Sequence, residues 1–191
     1  MSTWFLRDLV REVNDLRRNP CAYADKIERN KKYFKADNVW KHPKSKFAIK
    51  TEEGAAAYDE AINFLKNKAT SRNELDVSKS LTKIAEDFLK EYQKDPMANI
   101  PLDDVVKKYG KFTGLFRRLV QLGADTPEFV VVSLVVGDGD KSRQYRDALL
   151  AENLNKIGVA HGEHKDYSVI SVLTICNDFT NADGSNDNMT Y

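Results

Sequence analysis

At 191 residues with 41% hydrophobic side chains, the chain is long enough to bury one sizeable core and short for two independent domains. Its 30 Lys and Arg against 29 Asp and Glu exclude an overall electrostatic footprint for nucleic acid, so no nucleic-acid partner is expected. Cys21 and Cys176 are too few for a disulfide-rich scaffold, no segment reaches the roughly 20 apolar residues of a membrane span, and Arg7, Asp8, Arg11 and Glu12 interrupt any leader-like run; a cytoplasmic protein with reduced thiols is expected.

Phe5, Leu6, Leu9, Val10, Val13 and Leu16 lie at helical spacing, with Ser2 or Thr3 available as a cap. Asn19 before Pro20 marks a second helical start, continued by Tyr23, Ala24 and Ile27. Thr51 precedes a helix with Tyr58, Ala61, Ile62 and Leu65 on one side. Ser78 caps a stronger one, in which Leu81, Ile84, Ala85, Phe88, Leu89 and Tyr92 share a face. Leu102, Val105, Val106 and Tyr109, stopped by Gly110, predict a short helix.

The run Phe129–Val136 has a strand's composition, since β-branched residues favour pleated surfaces. Its boundaries are those of a helix: Asp125 or Thr126 as cap, Pro127 and Glu128 in the first turn, and Gly137 past the end. A helix is expected, apolar all round because it is buried. Ile157–His161 and Tyr167–Cys176 read as a hairpin around Gly162–Asp166, and the second strand is apolar on both faces, which requires helices above and below the sheet. The tail from Asn181 is polar and turn-rich, free in solution unless a partner docks it.

Between Lys26 and Lys50, nine Lys or Arg face only Glu28 and Asp37, with Tyr33, Phe34, Trp40 and Phe47 interleaved. This segment, about residues 29–50, is read as a basic insertion. It is either a solvated loop or a docking element in which Lys31, Lys32, Lys35, Lys41, Lys44 and Lys46 meet an acidic protein surface or an anionic membrane, with Trp40 among the anchoring rings. The usual catalytic patterns are missing. Asp138-Gly139-Asp140 fails as a calcium loop because Arg143 and Leu149 stand where Gly and Glu are needed. His161 and His164 read as solvated turn residues and Cys21 as a buried small hydrophobe, so no metal, cofactor or nucleophile is expected.

Several pieces together resemble one family. They are Asn14-x-x-Arg17 with Asn19-Pro20 and Tyr23-Ala24, then Ala61–Lys66, Ser78–Phe88 and Lys108–Phe112, then Val136–Arg146, and finally Ile157–Ala160 through His164, Tyr167 and Asp178-Phe179. They resemble the CAP/SCP superfamily, the domain of cysteine-rich secretory, antigen-5 and plant pathogenesis-related proteins, in its bacterial and protist branch. The resemblance implies an α+β fold, a three-layer α-β-α sandwich of the CAP/SCP type, spanning residues 1–180 with a tail at 181–191. It also implies a cleft where family members gather two histidines and two acidic residues around a divalent cation.

The departures cluster there. Pro96–Pro101 replaces the loop carrying the family's first histidine, Arg117-Arg118-Leu119 replaces Gly-Glu-Asn, Gly137-Asp138-Gly139 replaces Asp-Asp-Gly, and Tyr145 replaces the second histidine. With Arg118 in place of a carboxylate, a cation would meet repulsion. Arg117, Arg118, Arg143, Tyr145 and Arg146 either form a new anion-receiving patch or, more simply, Arg143 and Arg146 pair with local acids while Tyr145 packs. The expectation is a non-enzymatic intracellular recognition or scaffolding module that binds another protein, such as a subunit of a cytoskeletal or ciliary assembly. The alternatives are lipid, sterol or anionic-membrane binding and, last, a residual hydrolase.

Overall fold

The computed structural model describes residues 3–35, 38–43, 48–185 and 187–189. Chain order runs through helices α1 (Thr3–Arg18) and α2 (Pro20–Lys31), strands β1 (Val39–Trp40) and β2 (Ile49–Lys50), and helix α3 (Ala55–Asn67). Strand β3 (Asp76–Val77), helices α4 (Lys79–Lys94) and α5 (Leu102–Val106), and strand β4 (Gly110–Leu122) follow. Helices α6 (Pro127–Val136) and α7 (Gln144–Leu149) lead to strands β5 (Lys156–His164) and β6 (Ser168–Asn181).

The caps sit where the side chains place them. Asn19, Ser78 and Thr126 each accept a hydrogen bond from the backbone N–H three residues on, at Ala22, Leu81 and Phe129. Gly137 ends α6 in the left-handed conformation that a Cβ would penalise. Helix α6 is buried on every side, so its β-branched run is set by packing and caps rather than by propensity.

Four strands form the main sheet in the order β3-β5-β6-β4, with β3 parallel to β5 and the other pairs antiparallel. Side chains alternate across it. Leu119, Ile157, Val159, Leu173 and Ile175 join the core of α1, α2, α3, α6 and α7, while Ala160, Ile170, Val172 and Cys176 join that of α4 and α5. The result is the expected three-layer α-β-α sandwich. Gly158 lets α4 lie directly on the sheet, because a Cβ there would fall 2.0 Å from the Leu81 carbonyl carbon.

The two-residue strands β1, β2 and β3, strand β4 and helix α7 go beyond the sequence reading. Strand β4 went unforeseen because it is an edge strand whose register shifts between Thr113 and Phe116, breaking the alternation that marks a half-buried strand. Helix α7, six residues long, is too short to show a helical period. Residues also sit differently from expectation. Cys21 is an exposed free thiol on α2, facing away from the core rather than buried in it, and Cys176 is free and buried. His161 and His164 belong to β5 rather than to a turn, and strand alternation sends them to opposite faces.

The tail folds back on its own chain. Asp187 accepts from the Ser80 N–H at 3.0 Å at the start of α4, its carbonyl accepts from the Lys79 N–H, and the Met189 N–H donates to Val77. A carboxylate at this position satisfies helix donors that Ser78 leaves free.

Arg17 pins the first helix to the rest of the molecule. Fully buried, its guanidinium donates to the carbonyls of Asn73, Leu149, Ala151 and Leu154 at 2.7–3.0 Å. Burial, with Arg72 nearby, lowers its pKa to about 10, so it remains charged at neutral pH. Beside it Asn14 exchanges hydrogen bonds with both backbone groups of Leu75. The Asn-x-x-Arg segment is thus a structural cross-link. Arg17→Met is expected to cost about 3 kcal/mol in chemical denaturation, since several buried carbonyls lose their donor; a change under about 0.5 kcal/mol would show that water replaces it.

Candidate functional site

The loop between α6 and α7 is bound to the start of α3 by a reciprocal exchange. Asp138 accepts from the N–H groups of Glu52 and Glu53 at 2.7 and 2.9 Å, just ahead of α3. Glu53 in return accepts from the Gly139 N–H at 3.0 Å and from both Nη atoms of Arg143 at 2.7 and 2.8 Å. Arg143 also donates to the carbonyls of Gly137 and Asp140 and to Glu60. These bonds engage all three guanidinium nitrogens.

Arg146 completes the brace one helical turn on. At 1% exposure it donates Nε to the Val135 carbonyl at 2.7 Å and both Nη atoms to Glu60, with the guanidinium 4.9 Å from the Phe64 ring centroid. Hydrogen bonds from Arg143 and Arg146 hold the Glu53 and Glu60 carboxyls below the ordinary range, and the same pairing with Glu53 raises Arg143 further. Arg143 and Arg146 therefore serve as ties between α3, α6 and α7, the simpler of the two alternatives the sequence left open, and their donors are taken up by Glu53, Glu60 and backbone carbonyls rather than by an anion. The missed partners are Glu53, just ahead of α3, and Glu60 within it, and no motif in the sequence marks them.

A cavity of about 330 Å³ opens beside the brace, lined by Asp138, Arg143 and Tyr145 together with Gln121, Ser133 and Tyr58. Arg118 lies on the sheet face toward α4, its guanidinium 4.4 Å from the Phe88 centroid and 5.6 Å from that of Tyr92, and donates to the Ile100 carbonyl at 2.9 Å. Burial raises the Tyr92 pKa, against a smaller opposing pull from Arg118. Arg117, next in the strand, turns to the opposite face, is exposed, and its guanidinium donates to the neighbouring Phe116 carbonyl. The loop Pro96–Pro101 contributes the Ile100 carbonyl that Arg118 holds. Among the described residues, no group of three or more His, Cys, Asp or Glu side chains is gathered as a metal site.

The basic segment departs from an insertion on the surface. Helix α2 runs through Lys31, whose ammonium reaches Asp59 and Glu28, and the β1–β2 ribbon tucks Trp40 into the core. Trp40 stacks on Phe129 with ring centroids 4.1 Å apart and donates to the Asn30 carbonyl at 3.0 Å, so it is no anchor for a partner. Phe34 packs edge-on against Tyr58. Lys32 lies over the Tyr33 ring, Lys35 is exposed and Lys41 is half-buried; Lys44, Lys46 and Phe47 lie outside the described residues. Tyr33, Phe34 and Trp40 belong to the fold.

No protein-family model and no curated protein matches this chain. Among solved structures, it is similar to an outer surface protein from Borrelia burgdorferi, with 19% identity and a TM-score of 0.46 over 55% of this chain and 78% of that one. It is also similar to a cysteine-rich secretory protein from Staphylococcus aureus, with 16% identity and a TM-score of 0.42 over 64% of this chain and 37% of that one. These are likenesses of partial overlap, and neither carries a function across. No helix among the described residues is long and apolar enough to cross a membrane.

The brace gives stability a definite pH dependence. Carboxyls depressed in the folded state contribute fully above their unfolded pKa of about 4.3 and lose that contribution as pH falls through the lower folded value. Replacing both Glu53 and Glu60 by Gln is expected to lower stability at pH 7 and to flatten its decline between about pH 5 and 3, measured by urea denaturation across pH. An unchanged acid slope would mean that other carboxyls carry it.

Proposed function

We propose that the chain is a non-enzymatic recognition module, built on a CAP/SCP-like sandwich whose cleft has become an internal brace, and that it works by binding another protein within a larger assembly. The observation that carries this reading is the engagement of Arg143: its donors go to Glu53, Glu60, Gly137 and Asp140, while Asp138 is occupied by two backbone N–H groups. A cleft that catalyses or ligates needs groups left free to meet substrate or metal. Here the polar groups nearest Tyr145 hold the fold together. A cytoplasmic site of action is part of this proposal. The membrane reading loses one of its anchoring rings, because Trp40 is buried.

Two measurements test the reading. Calorimetric titration with zinc at pH 7 is expected to show no stoichiometric uptake; tight binding abolished by Tyr145→Phe would contradict it. Purified from its native source at physiological salt, the chain is expected in a stoichiometric protein complex. A monomer that hydrolyses an ester or peptide, and loses turnover on Tyr145→Phe, would restore the hydrolase.

A further inference from the structure

Strand β5 has an open edge. Strand β3 pairs with it only at Asp76↔Lys156 and Val77↔Ile157, and no other described strand lies on that side. The Ile157 carbonyl accepts from the Ser78 N–H at 2.9 Å, and the Glu163 carbonyl accepts from Gln93 Nε2 at 2.8 Å, both away from β6. Residues two apart along a strand direct their backbone groups to the same side, so His161 also turns N–H and C=O to this edge, which is covered at the fully buried Val159 and opens only over residues 161–163. Sheet edges of this kind template the pairing of another strand.

The edge runs along the floor of a groove of about 660 Å³ between the start of α1 and the middle of α4. Trp4 and Phe5 form one wall, and Leu89 and Gln93 the other. Trp4 is 55% exposed, a large aromatic left in water at the mouth of an apolar channel. Phe5 stacks flat on the His161 ring at 3.9 Å, and His161 Nδ1 meets Ser171 Oγ at 2.9 Å. Burial pushes His161 down to about 4, against a smaller opposing pull from Asp125, so the imidazole brings no positive charge to the floor at neutral pH. The groove also carries Glu86, Asp125 and Glu163, while its one lysine, Lys90, is paired with Asp87 at 2.9 Å.

We propose that this groove receives an extended basic segment of a partner protein, which adds as a short strand to the end of β5 with its main chain on His161 and the Glu163 N–H. Alternate side chains of the guest then fall toward Trp4 and Phe5 on one face and toward Leu89 and Glu86 on the other. Apolar residues on the first face and lysine or arginine near the carboxylates suit the walls as they stand. The proposal deepens the recognition reading, and rests on it, by naming the partner's chemistry and a site separate from the brace.

The test uses the full chain and the capped peptide Lys-Val-Lys-Val-Lys-Val-Lys, followed by NMR amide shifts and calorimetry. Saturable one-to-one binding is expected, with the largest shifts at His161, Gly162 and Glu163. N-methylation of alternate peptide residues in one register should weaken binding by about tenfold or more, and in the other by little, because only one set of N–H groups faces β5. Trp4→Ala, at an exposed position, should weaken it by about tenfold with the circular dichroism unchanged. Equal binding of both methylated peptides, equal binding of the Glu-Val counterpart, or no saturable binding would overturn the proposal. So would occupation of the groove by a second copy of the chain in sedimentation, or by palmitate that displaces the peptide. A native-source complex that survives Trp4→Ala overturns the groove alone, whereas monomer from that source overturns the recognition reading itself.

Discussion

The exchange of hydrogen bonds between the α6–α7 loop and the start of α3 is the constraint on which the rest of this structure depends. Asp138 serves two backbone N–H groups ahead of α3, and Glu53 answers with bonds from Gly139 and Arg143. Each side satisfies charges and donors that the other would otherwise leave unpaired, and Arg146 extends the tie through Glu60 to the carbonyl of Val135. Charge-assisted, two-pronged bonds of this kind hold geometry tightly. They fix α3 against α6, and so the wall on which Tyr145 and Tyr58 face the small cavity.

The same principle recurs with Arg17, whose buried guanidinium gathers carbonyls from four separate residues. Arginine suits both places because a planar fork of donors can satisfy several acceptors without deprotonating. Three motif arginines, Arg17, Arg143 and Arg146, are therefore cross-links between elements. The polar interior is occupied by architecture. What remains open lies at the periphery, where β3 ends after two residues and leaves β5 with an unpaired edge beneath Trp4.

Much of the fold was legible in the sequence, and for stated physical reasons. Caps at Asn19, Ser78 and Thr126 and a left-handed stop at Gly137 are local signals, so the helices they bound could be read in place, even for a valine-rich segment. Two-sided apolarity in β6 correctly demanded helices on both faces of the sheet. Strand β4 was hidden because an edge position and a register shift remove the periodic pattern, and its central Arg117 and Arg118 look like surface. The candidate site was legible only by half. Arg143, Tyr145 and Arg146 stand out by resemblance, but the partners of the two arginines, Glu53 just ahead of α3 and Glu60 within it, lie some eighty to ninety residues away in sequence, and Trp40, conspicuous among lysines, is drawn inward by a two-residue ribbon that no pattern announces.

Native-state hydrogen exchange on the Glu52, Glu53 and Gly139 amides tests the central claim most directly. If the loop and helix hold each other, these amides exchange slowly in the intact protein, and Asp138→Ala releases Glu52, Glu53 and, through the loosened loop, Gly139 together, with little change in β5 and β6. Rapid exchange of all three in the unaltered chain, or release of Glu52 and Glu53 while Gly139 stays protected, would contradict the reciprocal brace.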